Sequence, residues 1–246
     1  MLVASIQAEL VKLRRSPVWV AFVALPGLSA LIGSANYTAN LEVITPGWEN
    51  LWTQQTLFVC YFFLPALLGA GCSLLWRQEH QGSNWNEFMV QPVSTLDLVL
   101  GKLCAGSLMA ATAFASILVF YGFSGVLLGV PGPFPTAQVT TYLGLGLLGS
   151  IVIVAVQLFI SMLIRSFATP VAIALGGGVC GLVATMRGFG WIWPYSLMQS
   201  GMNSNNLVDL SSGTILQVVV ASVLYITAAT AAASTWLGRH DIVATL

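Results

Sequence analysis

Chemistry needs titratable or nucleophilic side chains, and this chain has few: eight Lys and Arg, eight Asp and Glu, two His and four Cys in 246 residues. The most suggestive pair is Glu79-His80, which could act as a general base or contribute a metal ligand. Two adjacent residues do not make a site, however, and the only other histidine is His240. Neither H-E-x-x-H nor G-x-S-x-G occurs, so the usual zinc-hydrolase and serine-hydrolase geometries have no sequence basis. Cys60, Cys72, Cys104 and Cys180 form no C-x-x-C pair and lie inside apolar runs, as small hydrophobic residues do. Gly101-Lys102 ends like a phosphate-binding loop, but Leu96 stands where the first glycine is needed and Leu103 where Ser or Thr is needed. Gly176-Gly177-Gly178 has no lysine after it. The chain therefore has no P-loop, and if ATP drives it, a partner must supply the hydrolysis.

These groups must be positioned by apolar elements. The chain is 57% hydrophobic and 7% charged, with zero net charge and a mean hydropathy of +0.87. About a quarter of a soluble domain is charged; a soluble enzyme, a nucleic-acid binder and a disordered tail are excluded. The fold class is an all-α polytopic membrane protein, since lipid offers backbone groups no partners outside a helix or a closed barrel. Charges and Pro-Gly breaks mark six spans, at about 17–35, 57–76, 103–130, 139–164, 170–186 and 214–237, each long enough for the hydrocarbon core. With the N-terminus in the cytoplasm, Lys12, Arg14, Arg15, Arg77, Lys102, Arg165 and Arg239 fall inside and only Arg187 outside, so both termini are cytoplasmic. The first span is retained rather than cleaved as a leader.

Residues 1–15 read as an amphipathic interfacial helix, with Leu2, Val3, Ile6, Leu10 and Leu13 on one face and Ser5, Glu9, Lys12 and Arg15 opposite. Gly177-x-x-x-Gly181, Gly125-x-x-x-Gly129 and the Gly146/Ser150 pair let helices approach closely, within one chain or across a dimer seam. Pro26 and Pro65 predict kinks. Trp19, Trp52, Trp76, Trp191, Trp193 and Trp236 lie near span ends, where headgroup-level anchors belong.

Two connecting segments stand out. Residues 77–102 hold Arg77, Glu79, His80, Glu87, Asp97 and Lys102 together with Trp85, Phe88 and Met89. Pro92 stops a short helix there, and Ser94 or Thr95 can cap the next. Such a segment suits docking of a soluble partner; it could also be a connector resting on lipid. Residues 188–213 combine Trp191, Trp193, Pro194 and Tyr195 with Asn203, Asn205, Asn206 and Asp209. They are too apolar for a free loop and too polar to span, so they form a re-entrant extracellular segment before the sixth span, either a lid or a plug.

Taken together, Glu9 and Lys12-Leu13-Arg14-Arg15 before the first span, the segment Glu79-His80-x-x-x-x-Trp85, Pro92-Val93-Ser94 and Gly101-Lys102 resemble the permease subunits of export-type ABC transporters. The closest likeness is to the lantibiotic-immunity and bacitracin-type export permeases. The resemblance implies a second permease, identical or related, and separate ABC ATPase subunits that bind ATP and Mg; this chain would bind no cofactor or metal and carry no catalytic residue. It places the ATPase-coupling helix between spans 2 and 3, with Glu79, His80, Trp85, Asn86, Glu87 and Pro92 at or near the contact. Trp191, Trp193, Pro194 and Tyr195 would form the extracellular lid. The implied function is export of an amphiphilic or hydrophobic substrate, such as an antimicrobial peptide, across a bacterial cell membrane. The rival readings are a self-contained secondary transporter or channel, and a membrane-embedded hydrolase using Glu79 and His80.

Overall fold

The computed structural model describes residues 1–81 and 93–239; among them every regular element is helical. In chain order these are α1 (Leu2–Leu13), α2 (Val18–Ala39), α3 (Trp48–Phe58), a π-helical turn (Val59–Phe63), α4 (Leu64–His80), α5 (Thr95–Leu127), α6 (Thr136–Leu163), α7 (Ala168–Met186), α8 (Ser196–Gly201) and α9 (Ser212–Arg239). α3, the π turn and α4 run on as one rod, and among the described residues six helical rods are long and apolar enough to cross a membrane. The second and fourth of them bury more than half of their most apolar stretch inside the protein, whereas the first, fifth and sixth bury less than a third. The bundle is therefore centred on α3–α4 and α6.

Local chemistry explains the helix ends. Ser94 caps α5: its Oγ accepts the Asp97 backbone N–H at 3.0 Å, and Asp97 itself sits in the first turn, at the positive end of the dipole. α5 closes where Gly129 takes φ +62°, with the Gly129 N–H on Val126 O and the Val130 N–H on Gly125 O. That left-handed closure needs glycine, and the following Pro131-Gly132-Pro133 prevents resumption. α7 ends the same way at Gly188, φ +79°. Pro65 cannot donate to Tyr61 O; the chain meets this with the π turn, in which the Leu64 N–H reaches Val59 O.

Two span boundaries differ from expectation. The second rod begins at Trp48, not Leu57. Gln54, Gln55, Thr53 and Thr56 make that stretch look extramembranous, but the polar groups are satisfied inside the protein: between helices, Gln55 Nε2 donates to Ser34 Oγ and Ser124 Oγ and Ser29 Oγ donates to Gln55 O, while Thr56 Oγ1 donates to Trp52 O one turn back in its own helix. The third begins at Thr95, not residue 103, so Lys102 lies within a helix rather than in a loop. The expected 77–102 connector is thus reduced to the residues between His80 and Thr95.

Trp52 and Trp76 are interior rather than headgroup anchors. Trp52 Nε1 donates to Met202 O at 2.9 Å, and its ring meets Tyr121 edge-on at 5.0 Å. The small residues serve packing within the chain. A Cβ on Gly125 would overlap the Trp48 ring, one on Gly177 the Tyr195 ring, and one on Gly146 the Met202 side chain.

Candidate functional site

At one end of the bundle, four charges meet inside the protein. α1 contributes Glu9 and Lys12, one turn apart; α4 contributes Glu79 from its last turn; α5 contributes Lys102 from its second. Lys102 Nζ lies 2.7 Å from Glu79 Oε1 and 3.0 Å from Glu9 Oε1, and Lys12 Nζ lies 2.9 Å and 2.8 Å from the same two atoms. Each ammonium thus touches both carboxylates, and the square is neutral. Lys102 is fully buried. Its third N–H donates to Leu75 O at 2.6 Å, so all three donors of the ammonium are used. The nitrogen also sits 4.6 Å from the centre of the Trp76 ring. Glu9 and Glu79 are 2% and 3% exposed, while Lys12 keeps an edge in contact with solvent.

A buried ion pair gains little net stability over apolar packing, because desolvation offsets the attraction. What the square supplies is register: it can form only when α1 lies across the end of α4 and the start of α5. It therefore clamps both flanks of the segment between α4 and α5 to the N-terminal helix. Ser5 of α1 packs directly on Gly101, where a Cβ would come within 2.5 Å of Ser5 Oγ.

Burial alone would raise the pKa of Glu79, but the Lys102 and Lys12 ammonium groups outweigh it and hold the carboxyl below its ordinary value. For Lys12, burial lowers the pKa, and Glu79 and Glu9 more than compensate, leaving it raised. A depressed carboxyl contributes stability above its unfolded pKa of about 4.3, and that contribution is lost as pH falls through the folded value. A raised lysine contributes below about 10.4, and its contribution is lost as pH rises through the folded value. The thermal midpoint of the purified chain is therefore expected to be flat from about pH 5 to about pH 10 and to fall on either side. Glu79→Gln should flatten the acid limb. An acid limb unchanged in that variant would show that Glu79 is not the group being titrated.

Glu79, expected at or near a partner contact, has its carboxylate turned to the interior. His80, next to it, turns to α6, where its Nε2 donates to Ser161 O at 2.8 Å. The two side chains go to different partners and form no acid–base pair. Trp85, Asn86, Glu87 and Pro92 lie outside the described residues. By spacing Glu9 and Lys12 lie on the face opposite the apolar one, yet Glu9 is buried with Glu79 and Lys12 is half-buried against both. Lys102, seven residues into a helix whose remaining length is apolar, was the available signal.

At the opposite end, α8 is wedged among α6, α7 and α9. Gln199 Nε2 donates to Gly178 O, and the Asn203 amide donates to Tyr142 Oη, which in turn donates to Asp209 Oδ1 at 2.6 Å. The four residues expected to form a lid divide. Trp191 and Trp193 are exposed, and Trp193 Nε1 donates to Gly177 O. Pro194 is half-buried. Tyr195 is an interior pin, with its hydroxyl 2.6 Å from the Gln157 amide. Trp191 also borders an apolar cleft of about 580 Å³, whose other wall is the Leu216, Val220 and Leu224 face of α9.

Comparison with protein families finds that the model described as ABC-2 family transporter protein matches residues 5–181, from α1 into α7. No curated protein matches the chain.

Proposed function

The chain belongs to the ABC-2 family of transporter proteins, and from that premise we propose that it is the membrane subunit of an ATP-driven exporter whose nucleotide chemistry occurs in a separate ABC ATPase carrying ATP and Mg. The observation that carries this reading is the ionic square. A displacement of the segment between α4 and α5 would pull on Glu79 at one flank and on Lys102 at the other. Both are locked to Glu9 and Lys12, so α1, α4 and α5 would move as one body. This gives a soluble motor a rigid handle at the end of the bundle where Lys12, Arg77, Lys102 and Arg165 collect.

In this proposal that end faces the bacterial cytoplasm, with both chain termini. Trp85, Asn86, Glu87 and Pro92 supply the ATPase contact, and Glu79 acts from behind them through the square. A second permease, identical or related, completes the transport path, and Trp191 and Trp193 cover its outer side. The apolar walls suit an amphiphilic or hydrophobic substrate, and an antimicrobial peptide of the lantibiotic class, exported for immunity, fits that chemistry.

Isolation of the full chain in mild detergent from its host membrane is expected to bring down a nucleotide-binding subunit in stoichiometric amount. Trp85→Ala should weaken that association by roughly tenfold or more, as loss of a buried aromatic contact does. Uphill accumulation of substrate by vesicles holding this chain without any ATPase would overturn the proposal in favour of a self-contained carrier.

A further inference from the structure

At the end of the bundle opposite the square, where α3 and α6 begin and α5 ends, Trp52, Tyr121 and Tyr142 form the buried inner wall of a crevice of about 20 Å³, room for a group the size of one water molecule. The Trp52 ring centre lies 5.0 Å from that of Tyr121 and 5.9 Å from that of Tyr142. Each ring is pinned by its own polar atom: Trp52 Nε1 donates to Met202 O, Tyr121 Oη to Trp48 O at 2.8 Å, and Tyr142 Oη to Asp209 Oδ1. The last bond sets a carboxylate behind the Tyr142 ring and makes that ring more electron-rich. At the rim stand the exposed Glu49 carboxylate and the Gln138 and Asn206 side chains. No lysine, arginine or histidine is among the described residues that line the crevice, and Glu49 has no basic partner among them.

We infer that this crevice binds a primary ammonium group. A cation is attracted to the faces of electron-rich rings, most of all where water is excluded, and a carboxylate at the mouth adds a charge-assisted hydrogen bond. The three N–H donors of an ammonium have the Glu49 carboxylate and the amide oxygens of Gln138 and Asn206 to meet. Size sets the selectivity: an ammonium head is about as large as a water molecule, whereas a quaternary nitrogen and a planar guanidinium exceed the space. The charge at this end is complementary, with Glu42, Glu49 and Asp209 set against Arg187. Because the mouth stands at the boundary of the second and fourth spans, the ammonium can come from a soluble amine or from the headgroup of an aminophospholipid. The inference does not depend on the transport reading, because it concerns binding alone.

The test uses the full-length chain, with any subunits that accompany it, delipidated in nonionic detergent. Its thermal midpoint is followed during titration with methylammonium chloride, against tetramethylammonium chloride and sodium chloride at equal ionic strength. Methylammonium should give a saturable rise that the other two salts do not. Glu49→Gln should raise its half-saturating concentration roughly fivefold. Glu49→Asp, which keeps the charge on a shorter stem, should lose less. Leu207→Arg, at an exposed position on the mouth, places a competing cation there and should abolish the response. Glu42→Gln removes an exposed carboxylate of the same end that does not line the crevice, and should change nothing. Short-chain phosphatidylethanolamine and phosphatidylcholine separate the sources. Saturation by the former at lower concentration than methylammonium, with no response to the latter, assigns the ammonium to a lipid headgroup; a response to methylammonium alone assigns it to a soluble amine. Equal responses to methylammonium and tetramethylammonium or sodium, an undiminished response in Glu49→Gln, or an equal loss in Glu42→Gln would overturn the inference.

Discussion

Lys102→Met is expected to be among the most damaging single substitutions in this protein. Methionine matches the lysine stem in length and apolar character, so the change isolates the ammonium. Without it, Glu9 and Glu79 would share only Lys12, and Leu75 O would lose its side-chain donor. Removing one partner of a buried ion cluster costs about 3–5 kcal/mol, a large share of the 5–15 kcal/mol that typically separates folded from unfolded protein. A strongly lowered thermal midpoint, or failure to accumulate in the membrane, is expected. The decisive comparison is Lys102→Met with Glu79→Gln in the same chain. There the remaining Glu9 and Lys12 again balance, and the double variant should be more stable than Lys102→Met alone. A double variant showing the plain sum of the two single losses would mean that the four charges do not act as a unit.

The second expectation concerns the seat of α8. A Cβ built on Gly149 lies 2.4 Å from the Met198 backbone nitrogen and 2.5 Å from its Cα, and one on Gly201 lies 2.6 Å from the Leu145 carbonyl carbon. Backbone cannot turn aside as a side chain can, so Gly149→Val must push α8 out of its groove. Overpacking costs about 1–3 kcal/mol and more where nothing yields. The loss spreads, because displaced Met202 would release Trp52 Nε1 and displaced Gln199 would release Gly178 O. Gly144→Val provides the control: it lies on the same helix and faces open space, so its effect should stay within about 0.5 kcal/mol. A cysteine placed at Met198, which is fully buried, should resist maleimide in the parent and react in Gly149→Val. Equal midpoints for the two valine variants would show that the close approach of α6 and α8 is not required.

Much of the membrane architecture could be read before any coordinates. Charged residues and Pro-Gly breaks stop apolar runs for local reasons, and Ser94, Gly129 and Gly188 act within a few residues of where they stand. Reading failed where a polar residue was satisfied at a distance. Gln55 looked extramembranous because its partners, Ser34 and Ser124, are remote in the chain. Trp52 and Trp76 looked like interfacial anchors because a tryptophan near a span end carries no mark of which way it faces.

Glu9, Glu79 and Lys102 show the division most plainly. Composition required a membrane protein, since a chain with so few charges cannot hydrate a surface, and uninterrupted apolar runs of about 20 residues required that its spans be helices, in which the backbone satisfies itself. It also required that nearly every charge lie outside the hydrocarbon or find a counter-charge. Which carboxylate meets which ammonium is a matter of helix rotation and approach, summed over contacts between residues far apart in sequence. Only the packing of α1 against α4 and α5 turned three scattered charges and Lys12 into one buried, neutral clamp.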